Sequence, residues 1–258
     1  MIAIAVKNLT KSYRRSHLGR VIIQPAVKNL TFDVFAGEIF GLIGLNGAGK
    51  TTTIKLLLGL LFPDSGQIKI FDRSILSDRS VLSRVGYLPE LPYLEKNLRV
   101  GEVLHYFGQL NNISSVSRRV EEILEMVGLK KFQKQLVGKL SKGMMQRLCL
   151  AQSLLHNPDL LIYDEPASGL DPLGIREIRN LLLYLRSQRK TILISSHLIS
   201  ELEQVCDRVA ILAGGELKKI VTARDFQSRG ELETIFLKTI SLPDTTSENI
   251  SSIKFTSL

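Results

Sequence analysis

"IFGLIGLNGAGKTTTIKLLLGLL", residues 39–61, decides the fold. Its first six residues, "IFGLIG" (39–44), form a short β-prone run, apolar but for two glycines and without polar alternation, the pattern of a strand buried on both faces. Gly44 to Thr51, "GLNGAGKT", then matches the spacing G-x-x-x-x-G-K-[ST], and "TTIKLLLGLL" continues with helical character. Strand, glycine loop and helix in that order make a phosphate cradle. The glycines let the chain curl until successive N–H groups point inward, and the helix adds its positive end. Lys50 is placed to reach β- and γ-phosphates, and the Thr51 hydroxyl to ligate Mg²⁺. The stretch predicts a nucleoside triphosphate site in an α/β protein.

Outward from the loop the same alternation continues. "LLIYDE" (160–165), "TILISS" (191–196) and "RVAILA" (208–213) read as further buried strands of a mainly parallel sheet. "IAIAVKNL" (2–9), "LTFDVF" (30–35) and "QIKIFD" (67–72) read as half-exposed strands of a separate antiparallel layer. Between "VGYLPE" (85–90) and "LLIYDE" the period changes to 3.6, with helices closing at Gly128 and at Asn157-Pro158. The expected organisation is a core over 1–90 and 159–225, a helical subdomain over 91–158, and a C-terminal helix with a polar tail over 226–258. The Ser/Thr-rich end, 240–258, is expected to be poorly ordered.

Composition sets the broad class. The chain has 258 residues, 44% of them hydrophobic, and no apolar run long enough to read as a membrane span. Apolar residues precede basic ones at the start, the reverse of a secretory signal, and Cys149 and Cys206 read as buried thiols. The four histidines show no ligand spacing, and the whole is a cytosolic composition. A net charge of +9 admits nucleic acid, an anionic membrane face or a polyanionic ligand such as a nucleotide. The basic residues are spread along the chain and do not choose among these.

Two strand ends carry further chemistry. Asp164 and Glu165 close an apolar strand at the edge where ligands sit in open α/β sheets. Asp164 can hold Mg²⁺ through water, and Glu165 can polarise an attacking water. His197 follows another buried strand at the same edge. It could hydrogen-bond a γ-phosphate oxygen or orient water, although a lone histidine is often a satisfied core or surface residue. "LSKGM" (140–144) stands just ahead of a helix-period run, where it could be a plain cap or part of a phosphate clamp.

With these pieces in order, the chain resembles the ATP-binding subunits of ABC transporters over about residues 1–240. The resemblance implies a P-loop NTPase (RecA-like) α/β core with a mainly parallel sheet, an antiparallel β layer and an inserted α-helical subdomain. Gly44–Thr52 resembles the Walker A loop, which makes Gly44, Leu45, Asn46, Gly47, Ala48, Gly49, Lys50, Thr51 and Thr52 nucleotide contacts. Leu160–Glu165 resembles Walker B with its catalytic glutamate, and Ser196-His197 the switch histidine. "SGLD" (168–171) resembles the D-loop, which adds Asp171. Tyr13 stands where the family stacks an aromatic ring on adenine, and is otherwise a strand-edge tyrosine. "LSKGM" stands at the family's signature. Ser141 and the Gly143 N–H would there contact a γ-phosphate bound by a second cassette in a head-to-tail dimer, expected to be a homodimer, with a different cassette as the open alternative.

The chain departs from the family pattern in three places. Lys142 and Met144 replace the usual glycine and glutamine of the signature, and Glu90 replaces the glutamine that senses Mg²⁺ and water. Lys142 is harmful only if its backbone must take φ > 0, and Glu90 remains a competent Mg²⁺ ligand and catalytic contact. "GYLPE", "SKGM" and "LETIFLK" (232–238) resemble the branch paired with ABC-2-type exporter permeases. The resemblance therefore implies ATP and Mg²⁺ as cofactors, an integral-membrane permease on a separate polypeptide, and a peripheral place on the cytoplasmic face of the cell membrane. No nucleic-acid partner is expected. The rival is a soluble ABC-type ATPase acting on nucleic acid. A genome-maintenance ATPase needs a long coiled coil between Walker A and the signature, and no sustained heptads occur there. A translation-linked factor carries two cassettes in one chain, and a P-loop kinase has no signature loop.

Overall fold

A computed structural model describes residues 1–17, 20–91 and 93–241. The expected disorder of the tail falls largely on residues 242–258, outside the described residues. In chain order the elements begin with β1 (Ile2–His17), β2 (Arg20–Phe35), β3 (Ile39–Ile43), α1 (Lys50–Leu57), β4 (Ser65–Ile70), β5 (Arg73–Ser74) and β6 (Val85–Leu88). The helices α2 (Val100–Leu110), α3 (Val116–Met126) and α4 (Lys142–Leu154) follow. The chain then runs through β7 (Leu160–Asp164), α5 (Pro172–Ser187), β8 (Thr191–Ser196), α6 (Ile199–Val205), β9 (Arg208–Ala213), β10 (Glu216–Thr222) and α7 (Glu231–Ile240).

Two sheets form. β2-β1-β4-β5 is antiparallel throughout, and β10-β9-β3-β8-β7-β6 is parallel except for its β10-β9 edge. Every residue of β3, β7 and β8 is buried, as their apolar runs predict. Strand parity divides the core in two. Phe40, Leu42, Leu160, Ile162 and Leu193 turn toward α1 and the antiparallel layer, where Phe32 stacks on Phe40 at 5.5 Å. Ile39, Ile43, Leu161, Tyr163, Ile192 and Ile194 turn the other way, toward the helices from α2 onward. Each such fully buried aliphatic side chain contributes about 1.5–3 kcal/mol.

The antiparallel strands run longer than the sequence pattern implies. β1 continues to His17 rather than stopping near Leu9, pairing with β2 through a series of register shifts between Val6 and Ser12. Asn8 and Asn29 sit at φ 49, a left-handed conformation that asparagine tolerates better than most residues. β10 was not expected either: only Val221 in it is fully buried, so its apolar pattern is weak. The helical stretches of 91–158 appear where the 3.6 period placed them, closing at Gly128 (φ 69) and at Asn157 (φ 54).

Candidate active site

The glycine loop ends at Gly49, whose φ is 100. A Cβ there would lie 2.5 Å from the Ala26 carbonyl oxygen, so conformation and space both demand glycine. α1 begins at the next residue with no side-chain cap, which leaves its first-turn N–H groups free for an anion. Lys50 is buried; its Nζ donates to the Gly44 carbonyl at 2.8 Å and lies 3.8 Å from Glu165 Oε1.

Glu165 is the hub of the site. It is buried, just past the end of β7, with φ 52. A residue with a Cβ pays roughly 1–2 kcal/mol for that backbone, and here several bonds hold it. Its N–H donates to both the carbonyl and the hydroxyl oxygen of Ser195, each at 3.1 Å. Its Oε2 accepts the His197 backbone N–H at 3.2 Å and faces His197 Nδ1 at 2.7 Å. An ionised carboxylate can only accept there, so Nδ1 carries a proton, and in the neutral ring Nε2 then holds the lone pair. That tautomer suits Nε2 to accept a hydrogen bond from water rather than to donate one to phosphate.

Ser195 also donates to Asp164 Oδ1 at 2.5 Å, while the buried Oδ2 of Asp164 has no hydrogen-bond partner. An orphaned carboxylate oxygen at zero exposure is costly in isolation and fits a nearby cation or its water. The residues present thus fit a divalent metal: Thr51 and Glu90 line the cavity, and the buried Asp164 directly precedes Glu165, which lines it too. No cluster of three or more His, Cys, Asp or Glu side chains occurs among the described residues, so a site wholly of such side chains is not present there.

A cavity of about 670 Å³ collects most of the expected contacts. Tyr13, Gly44 through Thr52, Glu90, Glu165 and His197 all line it. Tyr13 is 37% exposed, and its hydroxyl lies 3.3 Å from Thr52 Oγ1. Pro25 and Ala26 of β2 add a wall that no motif announces. Ser195 was also unannounced, since one hydroxyl in a buried strand carries no periodic signal.

Ser141, Gly143 and Asp171 do not reach that cavity. They line a separate one of about 320 Å³, together with Lys142 and Gly169. Ser141 caps α4, its Oγ accepting the Met144 N–H at 3.2 Å, and the hydroxyl proton stays free to donate. Asp171 caps α5 by accepting the Gly174 N–H at 2.7 Å. Lys142 opens the first turn of α4 and is absent from the residues with positive φ, so the lysine sits there without backbone strain. Leu148, Ala151 and Leu155 bury the face of α4 that anchors this loop.

The sequence over residues 27–168, more than half of the chain, matches the family described as ABC transporter. The bacitracin transport ATP-binding protein of Bacillus licheniformis is 45% identical over 216 residues, covering 83% of this chain and 68% of its own length. Two ABC transporter ATP-binding proteins, of Nostoc and Synechocystis, are 43% and 44% identical and are spanned over 64% and 55% of their lengths, so this chain covers only part of each. Among solved structures, an ATP-binding subunit of an ABC transporter superposes with a TM-score of 0.78 at 31% identity, covering 92% of this chain and 99% of that one. A dimeric ATP-binding cassette in a post-hydrolysis state, bound to ADP and Pi, superposes with a TM-score of 0.78 at 25% identity. That match covers 86% of this chain and all of the other.

Proposed function

The chain belongs to the ABC transporter family, and from that premise we propose that it is the ATP-hydrolysing subunit that closes on a second cassette and drives a membrane permease. One observation carries the reading. A single chain builds both halves of a triphosphate clamp, yet the two halves open into different cavities, one holding Lys50 and Glu165 and the other Ser141 and Gly143. Two chains head to tail bring each glycine loop to the partner's Ser141. The similarity to a dimeric cassette bound to ADP and Pi supports this arrangement.

Each residue then has a task. The loop amides, Lys50 and the α1 N-terminus bind the phosphates, and Tyr13 stacks on the base. Thr51, Asp164 and Glu90 hold Mg²⁺, which supplies charge neutralisation when bound. Glu165 accepts the proton of the attacking water, and His197 Nε2 orients that water. Ser141 and the Gly143 N–H hold the partner's γ-phosphate, and its loss on hydrolysis lets the pair reopen. Leu91 and Tyr93, 86% and 85% exposed beside Glu90, offer an apolar surface to a permease segment at the cytoplasmic face of the membrane. Export rests on "GYLPE", "SKGM" and "LETIFLK". The relatives reported above are ATP-binding proteins of transporters, which leaves the nucleic-acid alternative without support.

ATP turnover tests the assignment. Glu165→Gln should keep ATP affinity and lose at least about a hundredfold in kcat, the worth of a general base. Lys50→Ala should lose ATP binding itself. Full turnover by Glu165→Gln would remove the glutamate from the chemistry.

A further inference from the structure

The helix that presents Ser141 is also fastened to the strand that presents Glu165. Two buried hydrogen bonds make the joint, one on each side of Asp164-Glu165. Toward the C-terminal end of α4, Ser153 Oγ donates to the Leu150 carbonyl and so receives the Tyr163 hydroxyl at 3.1 Å. Toward the N-terminal end, Gln146 Nε2 donates to the Pro166 carbonyl at 2.8 Å. Gln146 is 6% exposed, and Pro166 is the residue directly after Glu165. A further tie, Arg147 to Glu177 at 3.5 Å, joins α4 to the helix that follows Asp171.

The consequence rests on the two-chain reading above. Ser141 serves the triphosphate held by the partner, whereas Glu165 serves the one held by its own chain. Glu165 stands in a left-handed backbone that persists only while its surroundings fix it. Ser195 fixes the N–H of Glu165 itself, and Gln146 fixes the carbonyl of the next residue, Pro166. A short, buried bond between rigid elements transmits displacement, since packed interiors do not absorb it. We propose that Gln146 is a positioning residue that reports occupancy of the partner's site, sensed at Ser141, to the general base of its own site. The two ATP molecules of a closed pair then become competent together rather than independently.

Gln146→Met tests this, because methionine has a similar length and no donor. The expected result is a kcat lower by roughly tenfold, the scale of one neutral hydrogen bond. KM for ATP should stay unchanged, and the Hill coefficient for ATP should be lower than that of the unsubstituted protein. In a Glu165→Gln background the same change should still allow ATP-dependent dimerisation, which shows that α4 and its N-terminus are intact. Unchanged kcat and Hill coefficient would overturn the proposal. So would loss of dimerisation together with a lowered melting temperature, which would make the residue merely structural. If Glu165→Gln alone stays monomeric with ATP, the two-chain reading has failed. The kcat and KM of Gln146→Met then report separately on whether it positions Glu165.

Discussion

At the scale of single residues, the site is organised by who holds Glu165. Ser195 gives one hydroxyl two tasks, because its Oγ donates to Asp164 and accepts from the Glu165 N–H. Ser195→Ala leaves Asp164 with both oxygens buried and unpaired. Removing one partner of a buried bond costs about 1–3 kcal/mol, so denaturant unfolding should show a loss of that size, with lower kcat beside it. No change in either would mean that the carboxylate finds another donor. The glycine loop, Asp164, Glu165 and His197 were legible in sequence, because a phosphate loop fixes which sheet edge matters and each lies at that edge. Ser195 and Gln146 were not. Their partners are a neighbouring strand's carboxylate and a backbone carbonyl twenty residues away, and neither leaves a pattern in the chain.

Elements carry the second set of consequences. His156, just past α4, points Nε2 at the Val85 carbonyl at the start of β6, at 3.1 Å, while its Nδ1 is buried without a partner. Burial pushes its pKa below the ordinary 6.5, the Val85 carbonyl opposes this, and Arg119 and Lys190 reinforce the downward shift. The unfolded chain therefore binds a proton that the folded chain refuses. Stability from this contact is complete above about pH 6.5 and is lost progressively as pH falls below it. Melting temperatures should decline over that range, and His156→Gln, which keeps a donor for Val85, should flatten the decline. An unchanged slope would assign it to other groups. The buried strands β3, β7 and β8 were legible because parallel strands buried on both faces are continuously apolar. The far half of β1 and all of β10 were not, since edge and surface strands carry lysines and arginines that read as loop.

For the whole molecule, the two cavities on one chain are the central fact. In the proposed two-chain reading neither is a complete clamp: the larger is lined by the glycine loop and Glu165, and the smaller by Ser141, Gly143 and Asp171. The sequence contained both halves, and the family resemblance already implied that they meet only across two chains; within the chain, Ser141 sits at the tip of a helix outside the cavity that Lys50 lines. Lys142, the departure from the family's signature, is accommodated in an ordinary helical turn, its ammonium close to Gly169. The most direct measurement is the size of the Glu165→Gln protein in solution with and without ATP, beside the same protein carrying Ser141→Arg. The trans clamp predicts a monomer without ATP, a dimer with it, and no ATP-dependent dimer once arginine replaces Ser141. A Glu165→Gln protein that binds ATP and stays monomeric, or one whose dimer ignores Ser141→Arg, would contradict it.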